Sequence, residues 1–313
     1  MHSNEILSFC IPTYNRGLDL KTIVEKLIEV IKDYNIEICI SDNDSPDSTE
    51  EVVVELQKIY PYIKYFKQPS NMGLDINIQT ALQMSTTKYG WLLGDTYVLI
   101  EPEFKKIYKI LQDNDLDGVL LNANLRVTDI KSKIYDNSET LLDEIGWHIT
   151  MLSGLIYNRR LIKNASYNRF YGTLFIQHGI IFEHYANFND VKFYWYEKPA
   201  VENIPKTSFW YANTLEVFGK KWTEHILSLP YSISVKTKFK CIRDHGVKAN
   251  VFSYGNLVTL RCAGYISKQQ YNNYVEYIKY NASPSTYMLF KLSMLAPIPL
   301  LRAGLSAYKR LKK

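Results

Sequence analysis

The chain has 313 residues, 46% hydrophobic and 22% charged, enough apolar material for a large globular core and too much for a disordered polypeptide. A formal net charge of +5 is too mild to mark a nucleic-acid binder, and no apolar run approaches the roughly 20 residues that span a bilayer. Four well-separated cysteines, Cys10, Cys39, Cys241 and Cys262, form no C-x-x-C pair, and buried free thiols in a reducing cytoplasm are the simplest account of them, ahead of a metal site or a disulfide frame. Met1 to Glu5 is polar and the first apolar run is short, so a cytoplasmic location is expected. The 25 tyrosines suit an elongated polar ligand such as a sugar chain, but ordinary half-buried packing is the simpler account of them.

In chain order, Ile6 to Ile11 reads as a short apolar strand stopped by Pro12. The turn Thr13-Tyr14-Asn15-Arg16-Gly17 follows, rich in residues that cap helices and tolerate unusual dihedrals. Leu20, Ile23, Val24, Leu27, Ile28 and Ile31 then recur at i, i+3, i+4 spacing and predict an amphipathic helix. Ile36 to Ile40 is a second buried strand, leading through the polar loop Ser41 to Thr49 into a helix from Glu50 to Tyr60. After a third strand, Ile63 to Phe66, the segment Asn71-Met72-Gly73 opens a helix running to about Met84. Tyr89 to Leu93 is a fourth strand ending at Gly94-Asp95, followed by a helix from Glu103 to Leu111 and a strand from Gly118 to Leu121.

Continuously apolar strands alternating with helices predict an α/β fold, a Rossmann-like, mostly parallel central sheet with helices on both faces. Ligands of such sheets bind at the carboxyl ends of strands, and the polar loops above all fall there. Beyond about Leu215 the pattern is helical, with candidates at Leu215 to Leu229, Tyr231 to Val247, Tyr254 to Tyr265 and Lys268 to Tyr280. Two regions are therefore expected, an α/β domain over residues 1–215 and a helical region over 216–313.

Asp42 closes a buried strand, where an unpaired carboxylate is costly, so it is expected to accept bonds from a base N–H or ribose hydroxyls. Asp47 and Ser48 are expected to cap the next helix. Asp95, set off from its strand by Gly94, can lie beside a diphosphate and share a divalent cation, Mn²⁺ or Mg²⁺, with it.

Ser8-Phe9-Cys10-Ile11-Pro12-Thr13-Tyr14-Asn15-Arg16, Ile40-Ser41-Asp42-Asn43-Asp44-Ser45-Pro46-Asp47-Ser48-Thr49, Asn71-Met72-Gly73 and Trp91-Leu92-Leu93-Gly94-Asp95 come in an order and spacing that resemble the family 2 glycosyltransferases. These are inverting enzymes of the GT-A fold, and the resemblance is good over roughly residues 6 to 100. It implies that Pro12, Thr13 and Asn15 lie against the nucleotide of a nucleotide-sugar donor, that Asp42 recognises the base, most often uracil, and that Asn71, Gly73 and Asp75 lie near the ribose and pyrophosphate. Asp95 takes the first position of the family's aspartate-rich metal motif. The family usually continues with further acids, one of them a metal ligand; here Thr96 and Tyr97 follow, which leaves three readings open: the divalent cation is held by Asp95 and another side chain, the cation is dispensable, or transfer activity is lost.

In the family, the general base is usually an acid at a helix start that follows a segment like Leu152 to Arg160. The corresponding stretch, Gly172 to His184, has Gln177-His178 where the acidic pair is expected. Three roles stay open for His178: general base, a metal ligand compensating for the missing acids, or a histidine hydrogen-bonded at a helix start. Glu183 is the alternative base or a helix-surface charge. Ser153 and Gly154 belong to the acceptor segment, and Trp147 and His148 either line an acceptor groove or pack in the core.

Tyr287 to Leu301 is apolar but short and broken by prolines, and from Met288 onwards Lys291, Arg302, Lys309, Arg310, Lys312 and Lys313 face no acidic residue. Residues 287–313 therefore suit contact with an anionic membrane surface at its inner, cytoplasmic face, or packing on the helical region or on a second subunit in a homo-oligomer. The expected activity is an inverting sugar transfer from a nucleotide, UDP-type donor to a hydroxyl of a surface-polysaccharide or lipid-linked acceptor, with no role for nucleic acid. Its rivals are a non-catalytic nucleotide-sugar-binding scaffold and a nucleotidyltransferase.

Overall fold

The computed structural model describes residues 4–204 and 212–311, so Lys312 and Lys313 of the basic tail lie outside the described residues. Residues 4–141 and 148–204 form one compact unit, and residues 142–147 and 212–311 form a second.

The first unit is built on an eight-stranded sheet. Its strands are β1 (Leu7–Thr13), β2 (Glu37–Asp42), β3 (Ile63–Lys67), β4 (Tyr89–Leu92), β6 (Gly118–Leu121), β7 (Lys133–Tyr135), β8 (Leu155–Asn158) and β9 (Phe193–Tyr196), in the order β3-β2-β1-β4-β8-β6-β9-β7. Four of the seven pairings are parallel, and β8 enters antiparallel between β4 and β6. Two further strands, β5 (Tyr97–Leu99) and β10 (Val201–Asn203), pair antiparallel in a small second sheet.

Helices cover both faces, as the apolar strands require. Leu7, Phe9 and Ile11 of β1 and Ile38 and Ile40 of β2 share one core with α1 (Gly17–Ile31), α2 (Thr49–Ile59) and α4 (Glu101–Asp113). Ser41, of opposite parity in β2, donates to the side chain of Asn77 on α3 (Leu74–Met84) at 2.7 Å, so α3 lies on the other face. There α3 packs with α6 (Arg159–Asn164) and α7 (Ile176–Asn187). The short helix α5 (Ser138–Ile145) bridges the sequence between the two units.

Pro12 does not stop β1. The strand runs to Thr13 with Pro12 in register with Ser41, but pairing with β4 has ended at Cys10. A missing N–H at Pro12 therefore removes no bond to that neighbour.

The second unit is helical: a π-helical stretch, Leu215–Lys221, continues into α8 (Trp222–Ser228), followed by α9 (Val235–Lys248), α10 (Tyr254–Cys262), α11 (Lys268–Asn281), α12 (Pro284–Ser293) and α13 (Ile298–Leu311). Four of these helices start the same way. Ser234, Ser253, Ser267 and Ser283 each accept a bond from the backbone N–H three residues on, and Gln270 completes a capping box with Ser267. Their core gathers Phe252, Leu257, Ile278, Phe290 and Met294.

Candidate active site

Parallel strands deliver their following loops to one edge, and β1, β2 and β4 end there side by side. At the end of β1, Thr13 Oγ1 donates to Asp95 Oδ2 at 3.2 Å; Arg16 Nη1 donates to Asp95 Oδ1, also at 3.2 Å. Asp95 follows β4 directly, and its side chain is 16% exposed while that of Arg16 is 34% exposed, so the pair meets solvent chiefly through the guanidinium. Burial pushes the Asp95 carboxyl above the usual carboxylate range, against the pull of Arg16 and the Thr13 hydroxyl. The turn before it is braced from the 3-10 turn that precedes β8: Gly94 N–H donates to Ser153 Oγ at 2.9 Å, and the Trp91 indole donates to the Ser153 carbonyl at 3.0 Å.

Asp42 is fully buried. Its carboxylate accepts from Ser45 N–H at 3.0 Å and from the hydroxyls of Ser45 and Tyr65, so both oxygens are used inside the protein. Ser45 in turn accepts the exposed Asn15's backbone N–H at 2.7 Å, which couples the β1 turn to the β2 loop. Asn43, next in sequence, reaches across. Its Nδ2 donates to Asn71 Oδ1 at 2.8 Å and its Oδ1 accepts Met72 N–H at 2.8 Å. Asn71 also receives Gly73 N–H, and Gly73 takes the left-handed φ of 86° that glycine adopts without strain. Asn77 Nδ2 donates to the Thr13 carbonyl at 3.0 Å, tying α3 to the same edge. Thr13, Asn15, Asp42, Asn71, Gly73 and Asp95 thus belong to one hydrogen-bonded rim.

Asp75 extends the rim to α7. Its Oδ2 accepts the backbone N–H groups of Gly172 at 2.8 Å and Leu174 at 3.2 Å, holding a loop in which both residues have left-handed φ values, 81° and 65°. For leucine that conformation is strained, and a buried carboxylate beneath it is what retains it. His178, in the first turn of α7, is fully buried and packs tilted against Phe182 with centroids 4.8 Å apart. Glu183 is not the surface charge considered from sequence. It is buried, accepts Ser166 N–H at 3.2 Å and lies 3.5 Å from Arg169 Nη1, because α7 is buried on all sides from Ile176 to His184.

The expected acceptor residues fall differently. Ser153 and Gly154 are buried behind the Gly94 turn, where Ser153 positions backbone. His148 is buried with Nε2 donating to the Leu121 carbonyl at 3.3 Å, and burial together with the nearby Arg126 pushes its pKa down to about 4. Trp147 belongs to the other unit, buried, with its indole donating to the Glu144 carbonyl and Lys248 over its ring. Neither side chain presents the open aromatic face that stacking on a sugar requires.

The donor set at Asp95 does not fit a divalent cation. Among the described residues no group of three or more His, Cys, Asp or Glu side chains converges, and the only carboxylate oxygen turned towards Arg16 already carries a guanidinium. A dication about 4 Å from that guanidinium would meet a repulsion on the order of 8 kcal/mol at an effective dielectric of about 20. The amino end of α1 is also occupied by the protein itself, since Gly17 N–H donates to Asp47 Oδ2 at 2.8 Å. A nucleotidyltransferase-type phosphate loop needs that amide free.

Two residues that carry this geometry, Arg16 and Asn43, were not singled out from sequence. Arg16 read as part of a turn and Asn43 as part of a polar loop, and their partners lie 79 and 28 residues away.

The family model described as Glycosyl transferase family 2 matches residues 8–179. Among curated relatives, the abequosyltransferase RfbV of Salmonella typhimurium is 38% identical over 95 residues, 28% of this chain and 27% of its own. A dolichyl-phosphate beta-glucosyltransferase of Trichomonas vaginalis is 28% identical over 160 residues, 47% of each chain. The chain thus spans about a quarter to a half of the curated relatives it matches. Among solved structures, S. aureus TarS in complex with UDP-GlcNAc superposes with a TM-score of 0.59 at 14% identity, over 97% of this chain and 91% of that one. The mannosyltransferase PcManGT from Pyrobaculum calidifontis, in complex with GDP-Man and Mn²⁺, superposes with a TM-score of 0.56 at 13% identity, over 93% and 87%. With the family match running through more than half of its length, on a GT-A sheet whose strand-end loops are bonded into one rim, this chain is a member of the family 2 glycosyltransferases.

Proposed function

We propose that the chain transfers a sugar from a nucleotide donor, UDP-linked in the first instance, to a hydroxyl of a growing surface polysaccharide or a lipid-linked oligosaccharide, with inversion at the anomeric carbon. The observation that carries this reading is the convergence of Thr13, Arg16 and Asp95 from two adjacent parallel strands, at the edge where such sheets bind nucleotides. Relatives named for abequosyl and dolichyl-phosphate glucosyl transfer, and a fold shared with a UDP-GlcNAc complex, support the donor and acceptor classes.

In this reading the acceptor hydroxyl attacks the anomeric carbon, the diphosphate departs with the bonding electrons, and His178 removes the proton. His178 is preferred to Glu183 because it stands at the helix start where the family resemblance expects the acidic pair, while Glu183 lies further along the helix against Ser166 and Arg169. The Asp75-held loop leads into the turn that carries His178, so that turn is tied to α3 and through it to the donor rim.

The test is release of nucleoside diphosphate from UDP-, GDP- and TDP-sugars, with and without glycan acceptors. One donor is expected to turn over, and His178→Asn to lower that rate by about 100-fold or more, the usual contribution of a general base. A second reading is favoured by the complete burial of His178: a scaffold that binds a nucleotide sugar without transferring it. Tight donor binding with no release under any acceptor would select it.

The helical unit supports work at a membrane surface. Met288, Leu289, Leu292 and Leu295 stand on the outer side of α12 and its end, 51% to 81% exposed, while Phe290, Ser293 and Met294 face the core. Among the described residues no helix is long and apolar enough to cross a membrane, so contact would be interfacial.

A further inference from the structure

We propose that Arg16 supplies the positive charge that binds the donor's diphosphate, in the place where the family resemblance implies a divalent cation. The inference rests on the nucleotide-sugar reading above and names how that site handles its charge.

The geometry is specific. Arg16 lies immediately after the β1 turn and immediately before α1, and one guanidinium nitrogen is anchored 3.2 Å from Asp95 Oδ1 while Thr13 holds Oδ2. A carboxylate bonded on both oxygens is a fixed post. It orients the planar guanidinium and leaves the remaining N–H donors, on a side chain about a third exposed, for a second anion. The adjacent helix end contributes little, because Asp47 already occupies its first amide.

Charge balance favours the same assignment. Two carboxylates around a dication sum to zero, as do one carboxylate and one guanidinium. With Thr96 and Tyr97 in place of acids, the chain has one carboxylate at this point and one guanidinium paired to it. During transfer the bond between the anomeric carbon and the diphosphate oxygen breaks and its electron pair stays on the diphosphate, as the acceptor oxygen bonds to the carbon. Arg16 stabilises the negative charge that accumulates on that leaving group without adding or removing a proton, since guanidinium stays protonated.

The experiment is calorimetric titration of the full chain with UDP and GDP and with uridine and guanosine, in EDTA and in Mn²⁺. The expected result is diphosphate affinity equal within about twofold in the two conditions. Arg16→Gln is expected to weaken the nucleoside diphosphate by about tenfold or more while leaving the nucleoside unchanged, with Arg16→Lys in between. A purely structural arginine would change nucleoside and diphosphate binding together, and that outcome overturns the proposal. So does diphosphate binding that appears only with Mn²⁺, which would leave the transferase reading intact. Failure of every nucleotide to bind in either condition, by a chain that melts cooperatively, would overturn the nucleotide-sugar reading and the inference with it.

Discussion

At the scale of single residues, a densely bonded ionic site lies away from the proposed donor rim, just before β6. Asp117 Oδ1 accepts from His184 Nε2 at 2.8 Å, Arg160 Nη2 at 2.7 Å and Asn158 Nδ2 at 3.1 Å, and Oδ2 accepts Lys192 N–H at 2.9 Å. Burial alone would raise this carboxyl; the bonds from His184, Lys192 and Arg160 win and hold it down to about 2. A carboxyl depressed in the folded state contributes stability that is complete above its unfolded value, near 4, and is lost as pH falls towards 2. The shift corresponds to about 2 kcal/mol. Asp117→Asn is therefore expected to lower stability by about that amount at pH 7, with the gap to the wild type closing between about pH 4 and 2 in urea melts. A gap that stays constant across that window would show that Asp117 acts through packing alone. At the same scale, Thr13 and Asp95 were legible as candidates because a polar residue at the end of an apolar strand stands out. Their contact with each other and with Arg16 was not, because 82 and 79 residues of chain separate the partners.

At the scale of elements, amphipathic helices were legible through their period, and strands where an apolar run alternated with such a helix. α1, α2 and α3 fall within a few residues of their expected limits, and so do β4 and β6 at four residues each, whereas β5, β7 and β10, three residues long, give no pattern, and β8 and β9 lie beyond the regular strand–helix alternation that marked the earlier strands. The antiparallel entry of β8 is likewise a pairing decision that local sequence does not contain. In the helical unit, α9 begins at Val235, four residues later than its apolar pattern suggests, because Ser234 caps it. Gly246 is where α9 meets the end of α11: a Cβ built there would lie 2.0 Å from the Asn281 carbonyl oxygen. Neither backbone can yield without breaking helix bonds, so Gly246→Ala is expected to cost about 3 kcal/mol or more, at or beyond the upper end of ordinary overpacking. Thermal unfolding followed by circular dichroism measures it; an unchanged midpoint would mean that the two helices separate freely.

At the scale of the whole molecule, the carboxy-terminal helices bear on where the protein works. Arg302, counted from sequence with the basic tail, is exposed but anchored: Nη2 and Nε donate to the Cys262 carbonyl at 2.7 and 3.2 Å, at the end of α10. Arg261 holds the α12–α13 junction from the same side through the Ala296 carbonyl at 2.8 Å. These bonds fix the helices that carry the exposed apolar residues, and Lys291 stands exposed among them. The full chain is expected to sediment with vesicles containing phosphatidylglycerol and not with phosphatidylcholine alone, and Leu289→Ser with Leu292→Ser to reduce binding several-fold. Equal sedimentation of that variant would remove the lipid role from this face. Composition and periodicity by themselves determined that the chain folds, that strands and helices alternate before a helical end, and that polar loops gather at the strand ends, because burial and backbone geometry act over a few residues at a time. The motifs added the family. Only tertiary structure decided that Asp42 is sealed and internally bonded, that Trp147 and His148 are buried, and that a guanidinium stands against Asp95. Each of these depends on which distant segment closes over a side chain, and no local pattern carries that information.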